Sequence, residues 1–172
     1  GAVVAKRTVT APSVSYGTAV KVTVALANEY GRIPAGNLTL AVGGKNYTAP
    51  IASNSATFTL PKLAVGTHNF TVSFAGDDQV VAFTHAGSVQ VTKGKVAKVA
   101  GAVTKAPTSK KAGIYKVNVS TDKALVKASG KVTVTLKSGK KSVKVTGTVK
   151  SGVASLKVAK LAKGTWTASI AY

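Results

Sequence analysis

Few side chains in this 172-residue sequence could do acid–base or metal chemistry. Two histidines, His68 and His85, and four acids, Glu29, Asp77, Asp78 and Asp122, are the whole supply, and there is no cysteine or methionine. Without cysteine there is no disulfide, no thiolate metal site and no thiol nucleophile. A catalytic histidine needs a nucleophile or an acid placed with it, and no spacing here provides one. Asp77 and Asp78, with Glu29, could in principle bind Ca²⁺, but that ion takes roughly six to eight oxygen ligands, several of them carboxylates. The pair Gly76-Asp77 reads instead as a turn whose carboxylate accepts backbone N–H bonds. Gly43-Gly44-Lys45 and Ser138-Gly139-Lys140 sit between strands, not between a strand and a helix, so they are hairpin turns and not phosphate loops. No metal or cofactor is expected, and the chain reads as non-catalytic.

The abundant chemistry is cationic. Twenty-four Lys and Arg give a formal net charge of +20. Residues 1–93 hold seven of these cations against three acids; residues 94–172 hold the other seventeen, all lysine, against Asp122 alone. Strand parity points Lys131, Lys137, Lys144 and Lys157 outward, and puts Lys140-Lys141 at a turn and Lys110-Lys111 in a loop. Such an array attracts polyanions: an anionic cell-wall polymer such as teichoic acid, a sulfated surface glycan, nucleic acid or an anionic membrane surface. It also serves as a solvated face that discourages edge-to-edge strand pairing. Sequence-specific nucleic-acid recognition is not expected. The second half has no arginine for bidentate base contacts, and only Tyr115, Trp166 and Tyr172 as aromatics, two of them inward, so it lacks a stacking platform. No apolar run approaches the ~20 residues that span a bilayer, and no signal or transit segment is legible.

The elements that carry these residues have a period of two, the strand period. Val20, Val22, Val24 and Leu26 alternate with small or polar residues, as do Leu38, Leu40 and Val42, then Phe58 and Leu60, then Phe70, Val72 and Phe74. The second half repeats the scheme at Val117 and Val119, at Val132, Val134 and Leu136, and at Val143 and Val145. Gly43-Gly44 and Ser138-Gly139 are the matching hairpin turns. Residues 56–74 align without a gap on residues 154–172, an offset of 98. Ala56 and Ala154, the Lys-Leu-Ala triplets and the Gly-Thr pairs are identical between them, so the chain contains two copies of one unit. The expected domains are residues 1–93 and 94–172, joined by a short linker at about 93–101. A last strand over Ser88–Lys93 closes the first copy, and His85 falls in the connection before it.

Tyr16-Gly17, Pro34 to Leu40 with its Gly36-Asn37-Leu38-Thr39-Leu40, Leu60-Pro61-Lys62-Leu63 leading to Gly66-Thr67-His68, and Phe74-Ala75-Gly76-Asp77 together resemble the bacterial immunoglobulin-like repeats of secreted and surface proteins. The resemblance implies an all-β fold of two tandem immunoglobulin-like β-sandwiches. It also gives His68, and Trp166 at the same position of the second copy, the part of a corner aromatic whose polar atom bonds backbone across a loop. An internal Lys–Asn isopeptide bond, known in some surface domains of this kind, needs a buried acid beside the pair, and no spacing identifies one. Sequons begin at Asn37, Asn46, Asn69 and Asn118, on outward faces.

The second copy stops at Tyr172, the counterpart of Phe74, so its last strand is absent from this sequence. A longer parent chain is expected, with the second unit the less stable one. The function implied is a structural or spacer module of a larger secreted or surface-displayed bacterial protein, its lysine-rich unit lying against anionic wall polymers. The alternative is a carbohydrate- or surface-adhesion module, bacterial or displayed on a phage virion.

Overall fold

The computed structural model describes every residue except 28–30 and 33. Among the described residues there are strands β1 to β14 in four sheets and no α-helix. The chain divides into two compact units, Gly1–Lys93 and Gly94–Tyr172.

The first unit contains β1 (Arg7–Thr10), β2 (Val14–Ser15), β3 (Val20–Leu26), β4 (Asn37–Val42), β5 (Lys45–Pro50), β6 (Ser55–Leu60), β7 (Gly66–Phe74) and β8 (Phe83–Thr92). One sheet has the order β1-β3-β6 and the other β2-β8-β7-β4-β5. Alternation along the strands makes a sandwich of them. Val20, Val22 and Val24 from one sheet meet Leu38, Leu40, Val72 and Val89 from the other in a single apolar core. Each such side chain contributes about 1.5–3 kcal/mol when fully buried. The hairpin between β4 and β5 turns on Gly43 and Gly44, with φ of 58° and 75°. Positive φ at both central residues is what the right-handed strand twist selects.

The second unit contains β9 (Val96–Lys105), β10 (Gly113–Thr121), β11 (Gly130–Ser138), β12 (Lys141–Val149), β13 (Val153–Val158) and β14 (Thr167–Ala171), in sheets β9-β10-β13 and β12-β11-β14. Its own core joins Val117, Val132, Val134, Val149 and Leu156. The repeat seen in sequence is a repeat of topology and of register. In the first unit Leu40 pairs with Val72 and Val42 with Phe70; in the second Val134 pairs with Ile170 and Leu136 with Ala168. The fold is all-β, with two sandwiches.

Three sequence expectations are corrected. The stretch expected as a linker at about 93–101 is strand from Val96 onward, because β9 runs the length of β10, from Val96 opposite Thr121 to Lys105 opposite Ile114. The second hairpin turns on Gly139-Lys140, not Ser138-Gly139: Ser138 still pairs with Lys141, and Gly139 takes the positive φ of 57°. The last strand of the first unit begins at Phe83, not Ser88, so His85 lies within β8 opposite Val72.

Candidate functional site

Two of the residues that sequence marked for possible chemistry, His68 and Asp77, are engaged in structural bonds. His68 opens β7, half-buried, and its Nε2–H donates to the carbonyl of Ala64 at 2.7 Å. Trp166 donates from Nε1 to the carbonyl of Ala162 at 3.0 Å. Both acceptors are the alanine that ends the repeated Lys-Leu-Ala triplet, so each ring ties the start of its strand to the loop before it. That is the corner-aromatic part that the resemblance implied.

Asp77 closes a turn. Its Oδ1 accepts from the amides of Gln79 and Val80, at 2.9 and 2.7 Å, and its Oδ2 from the amide of Ala35 at 3.1 Å. These donors, the Val80 amide foremost, hold its carboxyl below the ordinary 3.8, since hydrogen bonds to the charged form favour it. Asp77 therefore stitches the loop around Ala35 to the connection between β7 and β8. Glu29, the third acid proposed for Ca²⁺, lies outside the described residues. Among the described residues no group of His, Cys, Asp or Glu has the arrangement of a metal site, and no helix is long and apolar enough to cross a membrane.

The eight lysines singled out in the second unit are all exposed, but they do not share one face. Lys131 and Lys137 project from β11, and Lys144 from β12 opposite Thr135. These three lie on the outer face of sheet β12-β11-β14, among Thr133, Thr135 and Thr146. Lys140 sits in the hairpin turn and Lys141 begins β12. Lys157 lies on the outer face of the opposite sheet, because β13 crosses to pair with β10.

The tightest grouping includes a residue that sequence reasoning missed. Lys105 on β9, Ile114 on β10 and Lys157 on β13 form one cross-strand row. With Lys111 they line a shallow cleft of about 460 Å³ on that face. The loop carrying Lys110 and Lys111 is fixed by Thr108, whose Oγ1 accepts from both lysine amides, at 3.2 and 2.9 Å. None of the eight is ion-paired among the described residues; the only acid of the unit, Asp122, faces Lys123 at 3.6 Å. The arrangement offers a polyanion two cationic faces and a charged hairpin tip.

Among solved structures, the adhesin InvE of Yersinia pseudotuberculosis is similar at 17% identity, over 90% of this chain and 51% of that one, with a TM-score of 0.48. The fibronectin(III)-like modules of CbhA from Clostridium thermocellum are similar at 13% identity, over 91% and 95% of the two chains, with a TM-score of 0.39. A β-glucuronidase of Bacteroides uniformis matches at 10% identity, over 24% of its length, with a TM-score of 0.38. The chain thus spans about half of InvE, and likenesses of this strength carry no argument below. No protein with a curated description matches the chain. The model of the bacterial Ig-like domain (group 3), a kind of module typical of surface and secreted proteins and usually non-catalytic, matches residues 7–93, about half of the chain. With its strand alternation, its repeated corner and its two-sheet units, the chain belongs to the bacterial Ig-like domain (group 3) family.

Proposed function

We propose that this chain is a non-catalytic structural module of a larger secreted or surface-displayed bacterial protein, and that its second unit docks on anionic cell-wall polymers through its lysines. The observation that carries the reading is the division of charge: seventeen lysines against one acid in residues 94–172, with the eight lysines named above exposed and unpaired among the described residues. The non-catalytic part is supported by His68, whose Nε2–H donates to a backbone carbonyl, and by Asp77, whose two carboxylate oxygens accept backbone amides.

An exposed ion pair is worth about 0–1 kcal/mol, so no single lysine makes a binding site. A flexible polymer with regularly spaced phosphates meets many lysines in succession and releases its counterions as it does so. The split of the lysines between two sheet faces suits such a polymer better than a compact anion, which touches one face only. Co-sedimentation of the chain with purified cell walls, before and after removal of teichoic acid, tests the proposal. The expected result is binding that falls with added salt and with polymer removal; binding indifferent to both contradicts it.

A further inference from the structure

Ile114, Lys116, Asn118 and Ser120 share the outer face of β10, since Val117 and Val119 between them are buried in the core. The neighbouring strands extend each of them into a cross-strand row. Lys105 and Lys157 flank Ile114, Ala102 and Ser155 flank Lys116, and Ala100 and Val153 flank Asn118. Lys98 flanks Ser120 on one side, and the chain folds back to set Lys127 on the other. Five lysines thus lie along one face, a pair at each end and Lys116 between them. In the corresponding sheet of the first unit, the paired positions hold Thr8, Thr10, Thr23, Thr57 and Thr59, with Lys21 the one cation among them. The lysine rows therefore belong to the second unit and are not a property of the fold.

The dimensions suit a chain better than a compact ion. From Ile114 to Ser120 the strand rises about 20 Å, at about 3.4 Å per residue. Both ends open into shallow clefts: the one of about 460 Å³ at Lys105, Lys111 and Lys157, and another of about 550 Å³ lined by Lys98, Asn118, Ser120, Lys127 and Ser151 among others. Each end is held by a threonine. Thr108 accepts from the amides of Lys110 and Lys111, and Thr121 Oγ1 donates to the carbonyl of Val126 at 2.7 Å, fixing the loop that carries Lys127. Small side chains at Ala100, Ala102 and Ser155 keep the floor between the ends low. None of the five lysines is ion-paired among the described residues; the acid of this unit, Asp122, faces Lys123.

We propose that this face is the binding track for a linear polyol phosphate, which lies along β10 from Lys105 and Lys157, over Lys116, to Lys98 and Lys127. This rests on the docking reading above and adds where on the unit the polymer lies and what repeat it has. Outward residues on a strand recur every six backbone bonds, about 7 Å. Phosphates joined through a three-carbon polyol also recur every six bonds, P–O–C–C–C–O–P, which extended cover about 7 Å at ordinary bond lengths. Successive phosphates therefore stay in step with the rows of β10, and the Asn118 side chain donates in the row that has no lysine. The lysine ammonium, a point charge on a flexible stem, meets each phosphate without a fixed approach. A nucleic acid strand has a similar phosphate interval, but its bases need aromatic faces to stack on, and these outer rows hold none. Laid across the strands instead, a polymer would meet the lysines of one row only.

The probe is a series of soluble glycerol-phosphate oligomers titrated into the full 172-residue chain. Affinity is expected to climb steeply up to about four phosphates, the number that about 20 Å holds at intervals of about 7 Å, and only slowly beyond. For an oligomer of that length, K98Q/K116Q/K127Q is expected to weaken binding about tenfold more than K131Q/K137Q/K144Q, which removes the same charge from the other sheet. K98R/K116R/K127R keeps the charge and is expected to bind like the parent. In the unsubstituted chain, the amide NMR shifts that the oligomer causes are expected in β9, β10 and Lys127, and not in β11 or β12. Equal losses in the two glutamine variants, shifts spread over both sheets, or affinity that climbs evenly with length would overturn the track and leave diffuse docking standing. Tighter binding of single-stranded DNA with the same number of phosphates would overturn the ligand assigned to it. No binding of any oligomer by the parent chain would overturn the track and the docking reading together.

Discussion

His68 and Trp166 make the same bond: each ring N–H reaches the carbonyl of the alanine four residues before it, Ala64 and Ala162. Two rings of different size reach the same acceptor because the Lys-Leu-Ala and Gly-Thr frame around them is identical. The ring is an anchor, and what the position requires is an N–H at its tip.

Substitution at that tip separates the bond from the packing. His68→Trp keeps a donor and is expected to leave the stability of the first unit within about 0.5 kcal/mol of the parent. His68→Phe removes the donor and is expected to cost about 1 kcal/mol. Urea denaturation followed by NMR signals of the first unit measures both.

Glycine at 147 is set by a neighbour on the facing strand. A Cβ there would stand 2.9 Å from Leu156 Cγ. Gly147→Ala is expected to destabilise the second unit by about 1–3 kcal/mol through overpacking. Adding Leu156→Val should recover part of that loss, a coupling that a double-mutant cycle followed by Trp166 fluorescence detects.

Asp77 makes the first unit sensitive to acid. Its carboxyl titrates below the ordinary 3.8 in the folded chain, so its contribution is complete above the unfolded value and is lost as pH falls through the lower folded one. The amides of Gln79 and Val80 are expected to exchange faster as pH drops below about 4, after correction for intrinsic exchange. In Asp77→Asn they should exchange faster than in the parent at neutral pH, with the difference closing in acid.

Much of this was legible from alternation and repetition. Valines two residues apart at Val20, Val22 and Val24 dictate a one-sided strand, and the copy of 56–74 in 154–172 reveals the second unit. What escaped the sequence has physical causes. β9 carries Lys98 and Lys105 around small residues at Ala100, Gly101 and Ala102, so it shows no period; it is a strand because β10 pairs with it. The start of β8 is obscured by Ala86-Gly87, where glycine is needed to admit the Phe70 ring. Parity correctly turned the lysines outward, but parity cannot tell which sheet a strand joins. β12 and β13 are neighbours in sequence and belong to opposite sheets, which is why Lys144 and Lys157 part company and Lys157 meets Lys105.

That separation has its own test. K105Q/K111Q/K157Q removes the lysines around one cleft, and K131Q/K137Q/K144Q removes three spread over the other face. Both are expected to weaken binding to a soluble phosphodiester polymer, the first set more, because clustered charges raise the local potential.

The docking proposal stands most directly on the salt dependence of affinity for soluble teichoic acid, measured with the full chain. A linear fall of log K with log salt is expected, with a slope that becomes shallower by about 2 when three contacting lysines are removed. A flat salt response, or a slope unchanged in both triple variants, would contradict it.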